Sequence, residues 1–253
     1  MDARKSLLVV AMMLVVAVFA VPVVMAQDQQ TLTADGQEVE VPVPTEPGIF
    51  TIQGQFTRIA YNHEGWVTLG YRTANDSQGQ EWMLLEVGVT LRKPTKSQTL
   101  TRESFSVTLP DESVLPMATI EEYRKVGSLR NLNTRGNVVR DSINYFPIDA
   151  NQACAMLFFT DSTRDVGAIA FDQFELSSRR ACLGRLFFKM PEGQKIVTGQ
   201  YWLNVQFAGS IVQTPFRIMT KDEEKFLRKN WKDLKKEHEA FLKSEQEKAK
   251  QQQ

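Results

Sequence analysis

The chain has 253 residues, of which 42% are hydrophobic, so it is long enough to bury a core in one large domain or two small ones. Thirty basic and thirty acidic side chains balance, which argues against binding of nucleic acid or an anionic membrane through net charge. With only two cysteines and two histidines, the sequence shows no recognisable ligand spacing for a metal site.

The first 26 residues have the composition of a secretory signal peptide. Two basic residues precede an apolar run over residues 7–25, and the small side chain of Ala26 predicts cleavage after that position. A retained membrane anchor is the alternative, because the run is long enough to span a bilayer. Residues 27–48 are polar and contain three prolines, which predicts a flexible leader. The predicted location is therefore periplasmic or extracellular.

Residues 49–219 contain the patterns of a β-rich domain, beginning with two short segments. A first strand from Phe50 to Ile59 is interrupted by Gly54, which predicts a bulge or bend. Trp66–Tyr71 predicts a second strand.

The most regular patterns lie in Trp82–Leu91 and Phe105–Leu109. Apolar side chains occupy every second position there, which is the period that places them on one side of a sheet. The residues expected to face the core are Met83, Leu85, Val87, Val89, Leu91, Phe105, Val107 and Leu109.

An inserted helix is predicted after the central strands. Thr119 followed by Glu122 matches a capping box, so we expect a helix from Ile120 to about Asn131, closed by a turn over Asn133–Asn137. This is also the most basic stretch of the domain, which is typical of a solvated helix face or, alternatively, of an anion-binding patch. Its basic residues are Arg124, Lys125, Arg130, Arg135 and Arg140.

Further strands are predicted downstream, and the last two form a hairpin. Ala208-Gly-Ser210 is short enough to join them tightly, and Pro215 places the final strand at a sheet edge because proline lacks an N–H donor. Eight to ten short strands separated by turns favour an antiparallel β-sandwich, with a closed barrel as the competing architecture. The later strands are expected at 156–160, 168–176, 183–190, 200–207 and 211–219.

Cys154 and Cys182 are the only cysteines, and an even number in an exported chain favours a disulfide. Two buried thiols are the alternative. A catalytic thiol is poorly supported, because the only histidines are His63, near the front of the domain, and His238, near the end of the chain.

Residues 220–253 predict a C-terminal amphipathic helix and tail. Thr220 and Glu223 repeat the capping box, and the apolar period changes from two to about 3.5. The helix is expected from Lys221 to about Lys248, either docked on the domain, projecting from it, or contacting a second copy or another protein. Its apolar seam, the possible partner interface, comprises Leu227, Trp231, Leu234, His238 and Phe241.

Sequence motifs for enzyme chemistry do not occur in the chain. It has no glycine-rich phosphate loop, no G-x-S-x-G and no H-E-x-x-H. Neighbouring acids such as Glu121 and Glu122 are typical of surface charge at a helix start. We therefore predict no catalytic residues, no metal and no cofactor.

The segment Glu81–Leu91, followed by Phe105-Ser-Val-Thr-Leu109, resembles the core of a group of exported bacterial immunoglobulin-like domains of unknown function, which includes a secreted mycobacterial antigen. Met190-Pro-Glu-Gly193 is similar to a turn that ends a strand in that group. The resemblance spans about Ile49–Ile218, although Arg92-Lys-Pro94 replaces the usual Asn and the helix from Ile120 is additional. It implies an immunoglobulin-like sandwich and a non-enzymatic role outside the cytoplasm, without assigning site residues.

These observations predict an exported binding or structural module with a C-terminal helix as its partner surface. The second hypothesis is a carrier of a lipid or small apolar ligand in a β-barrel, which requires an internal cavity of several hundred cubic ångströms. A hydrolytic enzyme would require a cluster of carboxylates with His63 in one cleft.

Overall fold

The computed structural model of the chain describes residues 32–34, 37–39, 49–126, 129–138, 141–159 and 170–251. The predicted signal peptide and most of the predicted leader lie outside these ranges. Among the described helices, none is both long and apolar enough to cross a membrane.

The described residues form fourteen strands and four helices, so the chain is mainly β, as the sequence predicts. The strands are β1 Leu32–Ala34, β2 Gln37–Val39, β3 Ile49–Gly54, β4 Thr57–Tyr61, β5 Gly65–Gly70, β6 Trp82–Leu91, β7 Gln98–Thr101, β8 Phe105–Thr108, β9 Val114–Pro116, β10 Gln152–Met156, β11 Gln173–Leu176, β12 Arg180–Lys189, β13 Gly199–Gln206 and β14 Ile211–Ile218. The helices are α1 Arg72–Asn75, α2 Ile120–Lys125, α3 Leu129–Val138 and α4 Lys221–Gln251.

Two sheets contain most of these strands. The larger has six, in the order β10-β12-β6-β5-β4-β3, and the smaller has four, in the order β14-β13-β8-β9. β7 pairs with β11, and β1 with β2. All pairs are antiparallel except β10 and β12, which are parallel, so the prediction of a wholly antiparallel fold is wrong for the larger sheet. Parallel neighbours cannot be joined by a tight turn, so the chain must cross over between Met156, the end of β10, and Arg180, the start of β12.

One hydrophobic core is shared by the two sheets. The eight residues predicted to face the core are each at most 2% exposed, which confirms the period-two prediction for β6 and β8. They belong to one cluster with Leu203 and Val205 of β13 and with Val67 and Leu69 of β5. Burial of each large aliphatic or aromatic side chain contributes roughly 1.5–3 kcal/mol to folding.

The opposite face of β6 is buried too, which the alternating pattern does not predict. Leu84 and Phe187 lie in a second cluster with Leu129 and Leu132 of α3. The predicted turn at Asn133–Asn137 is wrong, because these residues continue α3. Tertiary contacts stabilise the helix there: Arg185 donates to Asn137 Oδ1 at 2.6 Å, and Asn133 Nδ2 donates to the Tyr123 hydroxyl at 2.8 Å.

A hairpin lies at one edge of each of the two main sheets. The predicted first strand is instead the hairpin β3–β4, whose register shifts between Ile52 and Gly54. The predicted hairpin β13–β14 is confirmed, with the Phe207 N–H donating to the Ser210 carbonyl at 2.8 Å. Pro215 lies on β14, an edge strand, as its missing N–H requires.

Candidate functional site

Helix α4 begins with the predicted capping box. The Glu223 N–H donates to Thr220 Oγ1 at 3.2 Å, and the Thr220 N–H donates to Glu223 Oε2 at 2.8 Å. Arg217 of β14 donates to Glu223 Oε1 at 2.7 Å, which ties the helix start to the last strand. Partial burial raises the pKa of Glu223, but the bonds from Arg217 and Thr220 outweigh burial and lower the pKa below its ordinary value.

The apolar seam of α4 lies against the β domain. Leu227 is buried in the shared core, and Trp231 and Leu234 are half-buried against it. His238 is 8% exposed, whereas Phe241 is 38% exposed. Four of the five predicted interface residues therefore make contacts within the chain, and only Phe241 among the five is exposed. Binding of a partner by this seam remains a prediction.

His238 connects the seam to strand β3. Its Nε2 lies 3.3 Å from the Phe50 carbonyl oxygen, and the two rings lie 5.0 Å apart. Burial disfavours the charged imidazolium and lowers the pKa of His238 below its ordinary value. The bond to Phe50 and the charge of Glu239 act in the opposite direction, while Arg58 adds to the lowering.

A disulfide joins Cys154 and Cys182, as predicted. The two residues are direct partners in the parallel pair β10–β12, with their Cα atoms 4.1 Å apart. Cys182 is fully buried, and Cys154 packs against the shared core. The bond thus attaches the outermost strand of the larger sheet to its neighbour.

A buried carboxylate, which the sequence analysis missed, joins two turns. Glu64 is only 6% exposed. Its Oε2 accepts hydrogen bonds from the Gly209 N–H at 3.0 Å and the Ser210 hydroxyl at 2.7 Å, while Gln98 donates to Oε1 at 3.2 Å. Asn62 Nδ2 also donates to the Ser210 hydroxyl, at 2.9 Å. This network holds the β4–β5 turn against the β13–β14 hairpin.

A cleft of about 370 Å³ lies beside this network. It is lined by β7, the short 3₁₀ turn that follows, and the end of β13, that is, by residues 98–101, 103–104 and 206–208. Most of these side chains are amides, hydroxyls or carboxylates. Gln98 connects the cleft to the network, because its Nε2 donates to Glu64 Oε1 at 3.2 Å while its Oε1 accepts from the Ala208 N–H at 2.6 Å. Phe207 is apolar but only 3% exposed, so its ring provides little accessible surface for a ligand in the cleft.

The basic side chains of this stretch that the structure describes do not converge on one point. Arg124 is exposed on α2, whereas Arg135 on α3 donates to Gln80 Oε1 at 2.8 Å, and the side chains of Arg130 and Arg140 lie outside the described residues. His63 is exposed. In the part of the chain that the structure describes, no three His, Cys, Asp or Glu side chains are placed to hold a metal ion.

Local sequence signals explain the turn that carries Glu64 but not the burial of its side chain. Asn62 Oδ1 accepts from the N–H groups of Glu64 and Gly65, both at 2.9 Å, which is an Asx turn and is readable from Asn-His-Glu-Gly between two strands. The carboxylate is buried by residues 145 and 146 positions further along the chain, Gly209 and Ser210. No local pattern reports such a contact.

No family model, curated protein or solved structure matches the chain.

Proposed function

We propose that the chain is an exported, non-enzymatic binding or structural module of the bacterial envelope. The observation that carries this proposal is the Cys154–Cys182 disulfide, because disulfides persist in oxidising compartments and are rare in the cytosol. The apolar run that ends near Ala26 supports the same compartment. The proposed location is the periplasm or the cell exterior.

The proposed architecture is an immunoglobulin-like β-sandwich. Two sheets that share one core support a two-layer arrangement. Immunoglobulin domains distribute consecutive strands between their sheets, whereas β3 to β6 are four consecutive neighbours in one sheet here. We therefore propose that the chain resembles an immunoglobulin domain in its two packed sheets but not in the order of its strands.

Packing between the sheets favours a module over a ligand carrier. A carrier of a lipid or small apolar molecule requires an open apolar cavity. Aromatic rings occupy the core instead: Tyr71 and Phe216 lie 5.5 Å apart, and Phe216 and Tyr201 lie 5.4 Å apart. The cleft beside β7 is mainly polar, which does not suit an apolar ligand.

The proposed partner is another protein, contacted by the distal segment of α4, Glu239–Gln251. The seam up to His238 is already covered by the domain, whereas Phe241 in the distal segment is exposed. The distal segment has three glutamates and three lysines, so its charge is balanced and does not favour nucleic acid or an anionic membrane.

Cross-linking in intact cells tests this proposal. We expect a cross-linked complex with the complete chain, and its loss when the chain is truncated after Ala240 or carries Phe241→Ser. Val197→Ser is the matched control, because Val197 is 53% exposed at another site and its replacement should leave the complex intact. A complex that survives truncation unchanged would exclude the distal segment as the interface. A product of twice the chain mass would identify the partner as a second copy.

A further inference from the structure

Helix α4 contacts the edge strand β3 through a buried histidine, His238, which is 8% exposed. Among the described strands, β3 is the outermost of the larger sheet, and none of them pairs with one row of its backbone polar groups. His238 supplies a partner to the Phe50 carbonyl oxygen. Because a carbonyl only accepts, Nε2 carries a proton in both the neutral and the charged ring, so the proton gained on acidification is the one on Nδ1.

The charges around His238 oppose a positive ring more than they favour it. β3, with the sequence Ile-Phe-Thr-Ile-Gln-Gly, offers no titratable side chain. From β4, the guanidinium of Arg58 repels a second positive charge. Glu239 on α4 attracts one, but its carboxylate is shared with Lys235 at 3.8 Å. A proton on Nδ1 would therefore place a charge in a buried site, where the bond to Phe50 and the charge of Glu239 offset the cost of burial only in part.

We propose that His238 is a proton-operated latch, whose protonation by solvent releases the C-terminal helix from β3 and uncovers both the strand edge and the apolar seam. In the released helix the imidazolium is solvated, so proton binding favours release. The lowered pKa of His238 supports the same direction. The uncovered edge and seam offer two surfaces that proteins bind, by strand addition or by helix packing. This inference does not rest on the proposed envelope partner, because it concerns contacts within the chain.

Hydrogen exchange of the complete chain, followed by mass spectrometry between pH 7.5 and pH 5.0, tests the latch. Rates are corrected for the intrinsic pH dependence of amide exchange, and β13 serves as the internal reference because it is a central strand. We expect exchange in β3 and in α4 to rise at pH 5.0 relative to β13.

Two variants distinguish protonation of His238 from a general destabilisation of the fold at low pH. His238→Gln retains an N–H donor for the Phe50 carbonyl but does not titrate, so its α4 should stay docked at pH 5.0. His63→Gln removes the other histidine, which is exposed, and should behave as the unmodified chain does. The proposal is overturned if His238→Gln shows the same acid response as the unmodified chain, or if the unmodified chain shows no response.

Discussion

Loss of the Cys154–Cys182 disulfide should destabilise the domain by an amount that its loop length sets. The bond closes a loop of sequence separation 28, for which the loop-entropy relation gives roughly 3–4 kcal/mol at 25 °C. In a protein of this size each kcal/mol changes the melting temperature by roughly 2–4 °C, so a loss of about 3–4 kcal/mol on reduction should lower the melting temperature by about 6–16 °C. Because β10 is the outermost strand and β12 is its partner in the sheet, β10 should lose order first.

Urea denaturation with and without reductant measures this loss. The Cys154→Ala/Cys182→Ala double variant controls for other effects of the reductant, because its stability should be the same in both conditions. Reduced chain and double variant should both unfold at lower urea concentration than the oxidised chain. If reduction, verified by alkylation of both thiols, leaves the free energy of unfolding unchanged, the reasoning from loop closure is refuted.

Three further predictions concern single side chains. Gly184→Ala would place the new Cβ 2.6 Å from Met156 Cβ, so it should lower the free energy of unfolding in urea by about 1–3 kcal/mol. Gly209→Ala is the matched control, because the nearest atom to its new Cβ is 3.5 Å away, and it should change the free energy of unfolding by less than about 0.5 kcal/mol. Glu64→Leu leaves the buried Ser210 hydroxyl and the Gly209 N–H without their acceptor and should lower the free energy of unfolding by about 1–3 kcal/mol in the same titration. An unchanged midpoint would show that the carboxylate is dispensable. Because the folded-state pKa of His238 lies below the ordinary value near 6.5, the unfolded chain binds the proton more tightly, so stability is lost as pH falls from about 6.5 through the folded-state pKa. The difference in unfolding free energy between the unmodified chain and His238→Gln should follow that trend, and a difference that is constant between pH 7.5 and 5.0 would contradict it.

Elements with a strong local signal were predictable. The core row of β6 is a consequence of side-chain alternation, and the capping boxes at Thr119 and Thr220 are local hydrogen-bond patterns, so the residues themselves report them. The edge position of Pro215 follows from one missing donor. Predictions of this kind depend on neighbours in sequence, which explains their agreement with the structure.

Features that depend on distant residues were not predictable. The helical conformation of Asn133–Asn137 depends on Arg185 and on the packing of α3 over the outer face of β6. The parallel pairing of β10 with β12 joins residues that are 28 positions apart in sequence, such as Cys154 and Cys182, so no local pattern predicts it. In the candidate site, spacing alone predicted the seam of α4, but its contact with Phe50 joins residues 188 positions apart and has no sequence signature.

The oxidation state and location of the two cysteines in living cells provide the most direct test of the proposed exported state. Thiols are blocked with a membrane-permeable alkylating reagent before lysis, the cells are fractionated, and newly reduced thiols then receive a second label of larger mass. We predict that Cys154 and Cys182 resist the first reagent, accept the second, and occur in the envelope or secreted fraction. Two reactive thiols in a cytoplasmic chain would contradict the prediction.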